Sequence, residues 1–274
     1  MITAPLPPFA GLTLDVPRIM GIVNVTPDSF SDGGETFHAA DAVARARAMI
    51  AAGADIVDIG GESTRPGATA VAIEDEVARV APVIDALADL GVPVSIDTRH
   101  VEVMRAAMTM GARIINDVSA LTGPGALEFA AESAASVVLM HMRGTPDAMN
   151  VAPRYDNVVG EVFDYLADRV ATCESVGIPK SRIAVDPGFG FGKSPDHNKV
   201  LLNGLERFRD LGCAVLVGLS RKLGPSGDPQ KRLARSVAAA LDAVRGGANI
   251  VRVHDVAETR AALEELAQES EMKC

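Results

Sequence analysis

Eight short runs of β-branched and other apolar residues recur along this 274-residue chain, at 19–25, 56–59, 94–96, 114–115, 137–140, 183–185, 214–217 and 250–253. Alanine-rich stretches with helical spacing separate and follow them, at 39–52, 73–90, 101–110, 126–133, 157–176, 199–211, 231–245 and 256–269. Strands that alternate with helices pair in parallel, because the chain needs a long crossover to return in the same direction. Eight such units predict a single closed (β/α)8 barrel, a fold of about 250 residues. Gly53, Gly91, Gly111, Gly177 and Gly212 stand at helix-to-strand corners, as glycines that end helices do. An open doubly wound sheet is the alternative. It would carry a glycine-rich dinucleotide turn after the first strand, and residues 26–34 lack that pattern. The expected division is a barrel over 18–274 and a segment, 1–17, that covers its amino-terminal end.

Barrels place their chemistry at the carboxyl ends of the strands. Here Asn24, Asp97, Asn116 and Asp186 each follow or end an apolar run, a fifth run leads into Ser220-Arg221-Lys222, and the last ends Arg252-Val253-His254. The loop at 60–67 combines two glycines, Ser63, Thr64 and Arg65, the ingredients of an anion cradle. Capping of a turn by Ser63 and Thr64 is the competing account. Asp97, Asn116 and Asp186 together could read the N–H edge of a flat heterocycle, with Lys222 donating and Arg252 stacking. A structural ion-pair network remains open as the other explanation. Residues 186–194 imitate a phosphate loop, but Pro187 stands where that motif requires glycine. Phe189 and Phe191 suggest instead a wall against a flat ligand, or packing at the barrel mouth.

Composition narrows the partners. A formal net charge of −10 argues against nucleic acid or an anionic membrane as the main partner. The three cysteines, at 173, 213 and 274, have no metal-ligand spacing and read as free thiols of an intracellular chain. No apolar run reaches the ~18 residues of a membrane span, and residues 1–17 lack the basic start of a secretory signal, so the cytoplasm is expected.

Residues 20–34, MGIVNVTPDSFSDGG, and 58–67, DIGGESTRPG, resemble the two signatures of the dihydropteroate synthase family. The segments Ser-Ile-Asp-Thr at 95–98, Ile-Asn-Asp at 115–117, Met-His-Met-Arg-Gly at 140–144 and 186–193 are also similar to that family. So are Ser220-Arg221-Lys222 and Arg-Val-His-Asp at 252–255. The resemblance covers nearly the whole chain in the family's order. It implies a transferase of folate biosynthesis that joins 6-hydroxymethyl-7,8-dihydropterin diphosphate to 4-aminobenzoate, releasing diphosphate. It further implies Mg²⁺ held by Asn24, diphosphate held by Thr64, Arg65, Arg252 and His254, and pterin bound by Asp97, Asn116, Met140, Asp186, Phe191, Gly218, Lys222 and Arg252. Pro27, Phe30 and Ser220 would line the aminobenzoate pocket. Asp97, Lys222, Arg65 and Asp28 would serve catalysis. A homodimer and sensitivity to sulfonamides are family expectations too. Two readings compete: the pterin-binding barrel of methyltransferases, and a non-catalytic pterin-binding paralogue. The second is motivated by one departure. After Lys222 the family continues with serine, whereas this chain has Leu223 and a shorter 223–229 segment.

Overall fold

The computed structural model describes residues 6–26, 35–62, 71–144, 153–220 and 228–271. Eight parallel strands close into a barrel in chain order. They are β1 (Arg18–Asn24), β2 (Ile56–Gly60), β3 (Val94–Asp97), β4 (Ile114–Asp117), β5 (Ser136–Met140), β6 (Ile183–Asp186), β7 (Ala214–Val217) and β8 (Ile250–Val253). β8 pairs back on β1, with Arg18 opposite Ile250, so the barrel leaves no edge strand. The helices are α1 (Glu35–Ala51), α2 (Ile73–Leu87), α3 (Val101–Thr109), α4 (Ala126–Glu132), α5 (Val158–Ser175), α6 (Pro195–Asn203), α7 (Pro229–Arg245) and α8 (Val256–Glu271). This is the (β/α)8 barrel that the sequence predicts.

One predicted helix, 199–211, is two elements. Ser194 caps α6 in a reciprocal pair with His197, and Pro195 opens the first turn. The helix ends at Gly204, and a 3-10 turn follows over Leu205–Leu211. A Cβ on Gly204 would lie 2.8 Å from a Val159 methyl, so glycine lets the chain bend against α5.

The period of two along each strand separates two cores. Val57, Ile59, Ile96, Ile115, Val137, Leu139, Val185, Val215 and Val251 face outward into the layer between sheet and helices. Met20, Ile56, Ile114, Val138, Ala184, Ala214, Leu216 and Ile250 fill the interior. Most of these inner residues come from the amino-terminal half of their strands. Phe9, 1% exposed, packs among them, and Ala10, Leu12 and Leu14 lie against the same cluster. The opposite half of the interior carries the ionisable side chains, with the apolar Ile22 and Met140 among them.

Candidate active site

The same parity that sends Ile56, Ile114 and Ile250 inward also sends in the residue two places later: Asp58, Asn116 and Arg252. Register brings their neighbours alongside. Asp58 stands opposite Ser95, Gly60 opposite Asp97, and Asp97 opposite Asn116, while Met140 stands opposite Asp186. The sequence thus builds a layered interior, apolar below and ionisable above, from one repeating pattern.

Arg252 ties the ionisable layer together. Its Nε donates to Asp58 Oδ2 at 2.6 Å, and its Nη2 donates to Asp97 Oδ2. Asn116 Nδ2 donates to the same Asp58 oxygen at 3.1 Å. Burial by itself would lower the Arg252 pKa, but the charges of Asp58 and Asp97, with Asp186 behind them, hold it above its ordinary value. Arg252 is therefore a fixed cation. Asp58 is fully buried, and its Oδ1 has no hydrogen-bond partner. Sequence reasoning gave Asp58 no role, although a carboxylate at an inward parity within a strand was the available signal. Two carboxylates on one guanidinium, with Asp186 nearby, leave the layer with excess negative charge. Such a surface suits a neutral or electron-poor ring that offers N–H donors.

Asp186 is 6% exposed and accepts from Gly188 N at 2.7 Å. The turn that follows has one solution. Gly188 sits at φ 70°, and a Cβ there would fall 1.9 Å from the His141 carbonyl oxygen. Lys193, almost fully buried, holds this turn from beneath. Its ammonium donates to the carbonyls of Gly188 at 2.8 Å, Phe191 at 3.2 Å and His141 at 3.3 Å. It also lies 2.9 Å from His141 Nδ1. An ammonium has only donors, so this nitrogen is the acceptor and His141 carries its proton on Nε2. Burial first, and then the charges of Lys193 and Arg143, lower the His141 pKa to about 3. His141 and Lys193 were quoted in the sequence motifs without roles. The two rings of the turn divide: Phe189 is buried in the outer core, whereas Phe191 is half-buried.

The remaining candidates at the mouth are distributed as follows. Met140 and Gly218 are buried. Ser220 Oγ lies 3.0 Å from His254 Nδ1 and also accepts from His254 N at 3.3 Å, so it braces that histidine. Asn24 is half-buried at the end of β1. A Cβ on Gly60 would come to 3.8 Å from both Asn24 Oδ1 and Asp97 Oδ2, so this glycine keeps the space between them open. Pro27, Asp28, Phe30, Thr64, Arg65, Lys222 and Leu223 lie outside the described residues, as does most of the 223–229 segment.

The profile of the pterin binding enzyme family matches residues 20–254. The chain belongs to the dihydropteroate synthases. The Escherichia coli K12 dihydropteroate synthase is 50% identical over 264 residues, covering 92% of each chain. A Xanthomonas albilineans dihydropteroate synthase solved with 4-aminobenzoic acid is 51% identical, with a TM-score of 0.90 over 98% of this chain and 99% of that one. The same enzyme solved in complex with 7,8-dihydropteroate is 49% identical, with a TM-score of 0.85 over 94% and 95%. Membership makes this chain a transferase and favours the synthase over the methyltransferase barrel.

A second cluster lies outside the ionisable layer. Oxygens of Glu62 and Glu76 and a ring nitrogen of His100 lie within 4.8 Å of one another. Burial, partly offset by the nearby Thr98 hydroxyl, raises the Glu76 carboxyl to about 7. Among the described residues, no helix is long and apolar enough to cross a membrane.

Proposed function

We propose that this enzyme forms a bond between the amine nitrogen of 4-aminobenzoate and the exocyclic methylene of a dihydropterin diphosphate. The methylene–oxygen bond breaks, diphosphate departs with its electron pair, and the aromatic amine loses a proton to solvent. The observation that carries the reading is the ionisable layer of Asp58, Asp97, Asn116, Asp186 and Arg252 at one end of the barrel.

Each residue has a part that its chemistry suits. Asp97 and Asp186 accept from the N–H edge of the pterin, and Asn116 donates and accepts beside them. Lys222 donates to the ring carbonyl or nitrogen, and Met140, Gly218 and Phe191 line the slot. As the methylene–oxygen bond breaks, positive charge spreads into the ring, and the carboxylate of Asp97 favours that state over the neutral substrate. Arg252 spends Nε and Nη2 on Asp58 and Asp97. Its Nη1 can meet the departing diphosphate together with His254, Thr64 and Arg65. Pro27, Phe30 and Ser220 would border the aminobenzoate, and Asp28 and Arg65 would serve catalysis. The attacking aniline is unprotonated at neutral pH, so no strong base is required.

Mg²⁺ suits this mouth. Asn24 supplies a neutral oxygen beside the gap that Gly60 leaves open, and Mg²⁺ accepts one protein ligand when phosphates and water complete its shell. When bound, the ion would offset the charge of the leaving diphosphate. The proposed organisation has residues 1–17 as a segment covering the barrel's amino-terminal end, a homodimer, and residence in the cytoplasm. The two free buried cysteines, Cys173 and Cys213, agree with a reducing compartment.

The deciding experiment supplies purified protein with Mg²⁺, pterin diphosphate and 4-aminobenzoate and detects dihydropteroate by mass. Product is expected from the wild type and not from Asp97→Asn. Pterin binding without product at any aminobenzoate concentration would favour the non-catalytic paralogue.

A further inference from the structure

Glu62, Glu76 and His100 come from three elements: the residue pair just past β2, the first turn of α2, and the residue before α3. Two of the three carry an unmet demand. Glu76 is fully buried, and neither of its carboxylate oxygens has a hydrogen-bond partner. His100 Nε2 is buried without a hydrogen bond and lies 3.8 Å from Glu62 Oε2. A buried acceptor left without a donor costs about 1–3 kcal/mol, so three such atoms in one cluster point to a missing occupant. Water would satisfy the carboxylate oxygens, but it does not explain why an imidazole nitrogen converges on them.

We propose that Glu62, Glu76 and His100 bind one divalent transition-metal ion of the zinc type, at a site separate from the metal that would accompany diphosphate at Asn24. Two carboxylates and an imidazole form the mixed oxygen–nitrogen set that zinc accepts, whereas magnesium and calcium take oxygen ligands. Zinc donors stand about 2.0–2.2 Å from the ion and therefore about 3.4 Å from one another. Ligand atoms gathered within 4.8 Å need small side-chain adjustments to reach that spacing. The surroundings also fit. Val71 N donates to Glu62 Oε1 at 3.3 Å, so the carboxylate is held in orientation as carboxylate ligands usually are. Arg99 opposes a cation by charge, and its side chain, one-third exposed, has room to turn toward solvent.

The consequence is mechanical. Glu62 immediately precedes residues 63–70, which carry Thr64 and Arg65, and Gly61 packs on the Glu76 stem with room for no Cβ. An ion here would join the end of β2 to α2 and α3 and fix the chain where it enters residues 63–70.

The test uses full-length, tag-free protein stripped with a chelator and titrated with Zn²⁺ by calorimetry. One equivalent is expected to bind at least tenfold more tightly than to His100→Ala or Glu76→Gln, with a rise in melting temperature that both variants lack. Zinc-edge X-ray absorption should show one imidazole among oxygen ligands, and Asn24→Ala should bind zinc as the wild type does. His100 is partly exposed, so its variant keeps the test readable if Glu76→Gln misfolds. Equal zinc affinity in wild type and His100→Ala, an imidazole-free spectrum, or loss of the zinc in Asn24→Ala would each overturn the proposal.

Discussion

The two halves of the barrel interior share strands, parity and burial, yet they differ in what they enclose. At the amino-terminal half, Phe9 packs on Met20, Ile56, Ile114 and Ile250. At the carboxyl-terminal half, Arg252 is gripped by Asp58 and Asp97. The first arrangement gains from every square ångström removed from water. The second gains little net stability, because the desolvation of buried charges cancels much of their attraction. In the proposed reaction, those charges are kept to meet the pterin. Stability and recognition are thus sorted by height along the same strands.

That contrast can be broken most severely at the boundary. Asp58→Ala should cost about 3–5 kcal/mol, since it leaves the buried Arg252 Nε without its acceptor, and it should also reduce pterin affinity. Chemical denaturation and ligand titration on the same sample would check both. Phe9→Ala should cost a similar ~3–5 kcal/mol through the cavity it opens, while steady-state kcat/KM well below the melting temperature stays unchanged. Loss of activity in the folded Phe9 variant would deny that the halves are separable.

Lys193 sharpens the comparison, because it is a buried charge with a positioning role. Lys193→Met should raise KM for the pterin on the order of tenfold, as the Gly188 turn loosens, with less effect on KM for aminobenzoate. Its histidine partner gives a pH signature. The folded pKa of His141, about 3, lies below the unfolded value near 6.5, so the unfolded chain takes up a proton that the fold refuses. The wild type should therefore lose stability as pH falls from about 6.5 toward 3. Removing Lys193 takes away one of the depressing causes, so the window should narrow at its acid end. NMR titration of the His141 ring reads this directly. The smallest effect belongs to Leu223. Leu223→Ser, which supplies a hydroxyl donor, should lower KM for aminobenzoate and Ki for a sulfonamide by several-fold, in parallel. Steady-state kinetics would show it, and unchanged constants would remove Leu223 from the pocket.

Much of this was legible in the chain. Runs of β-branched residues marked the eight strands, because the runs are short and glycine corners separate them from longer helical stretches. The helix-ending glycines Gly53, Gly91, Gly111, Gly177 and Gly212 all lie at positive φ, as their corner positions suggested. Asp97, Asn116, Asp186 and Arg252 were legible as a set because each ends, or lies one residue from the end of, its strand. Asp58 was not, since it lies inside one, and only register reveals that its carboxylate meets a guanidinium 194 residues away. Lys193 and the Glu62–Glu76–His100 cluster escaped for a related reason. Their meaning lies in partners brought close by the fold, and no local spacing encodes that. The split of 199–211 into two elements was missed because Gly204 works through its contact with Val159, a long-range fact.

The measurement that bears most directly on the ionisable layer is a crystal structure of this protein with a pterin bound. The pterin edge should lie within about 3.2 Å of the Asp97, Asn116 and Asp186 side chains, with Arg252 still on Asp58. A ring bound elsewhere, or bound here without touching those three side chains, would contradict the account.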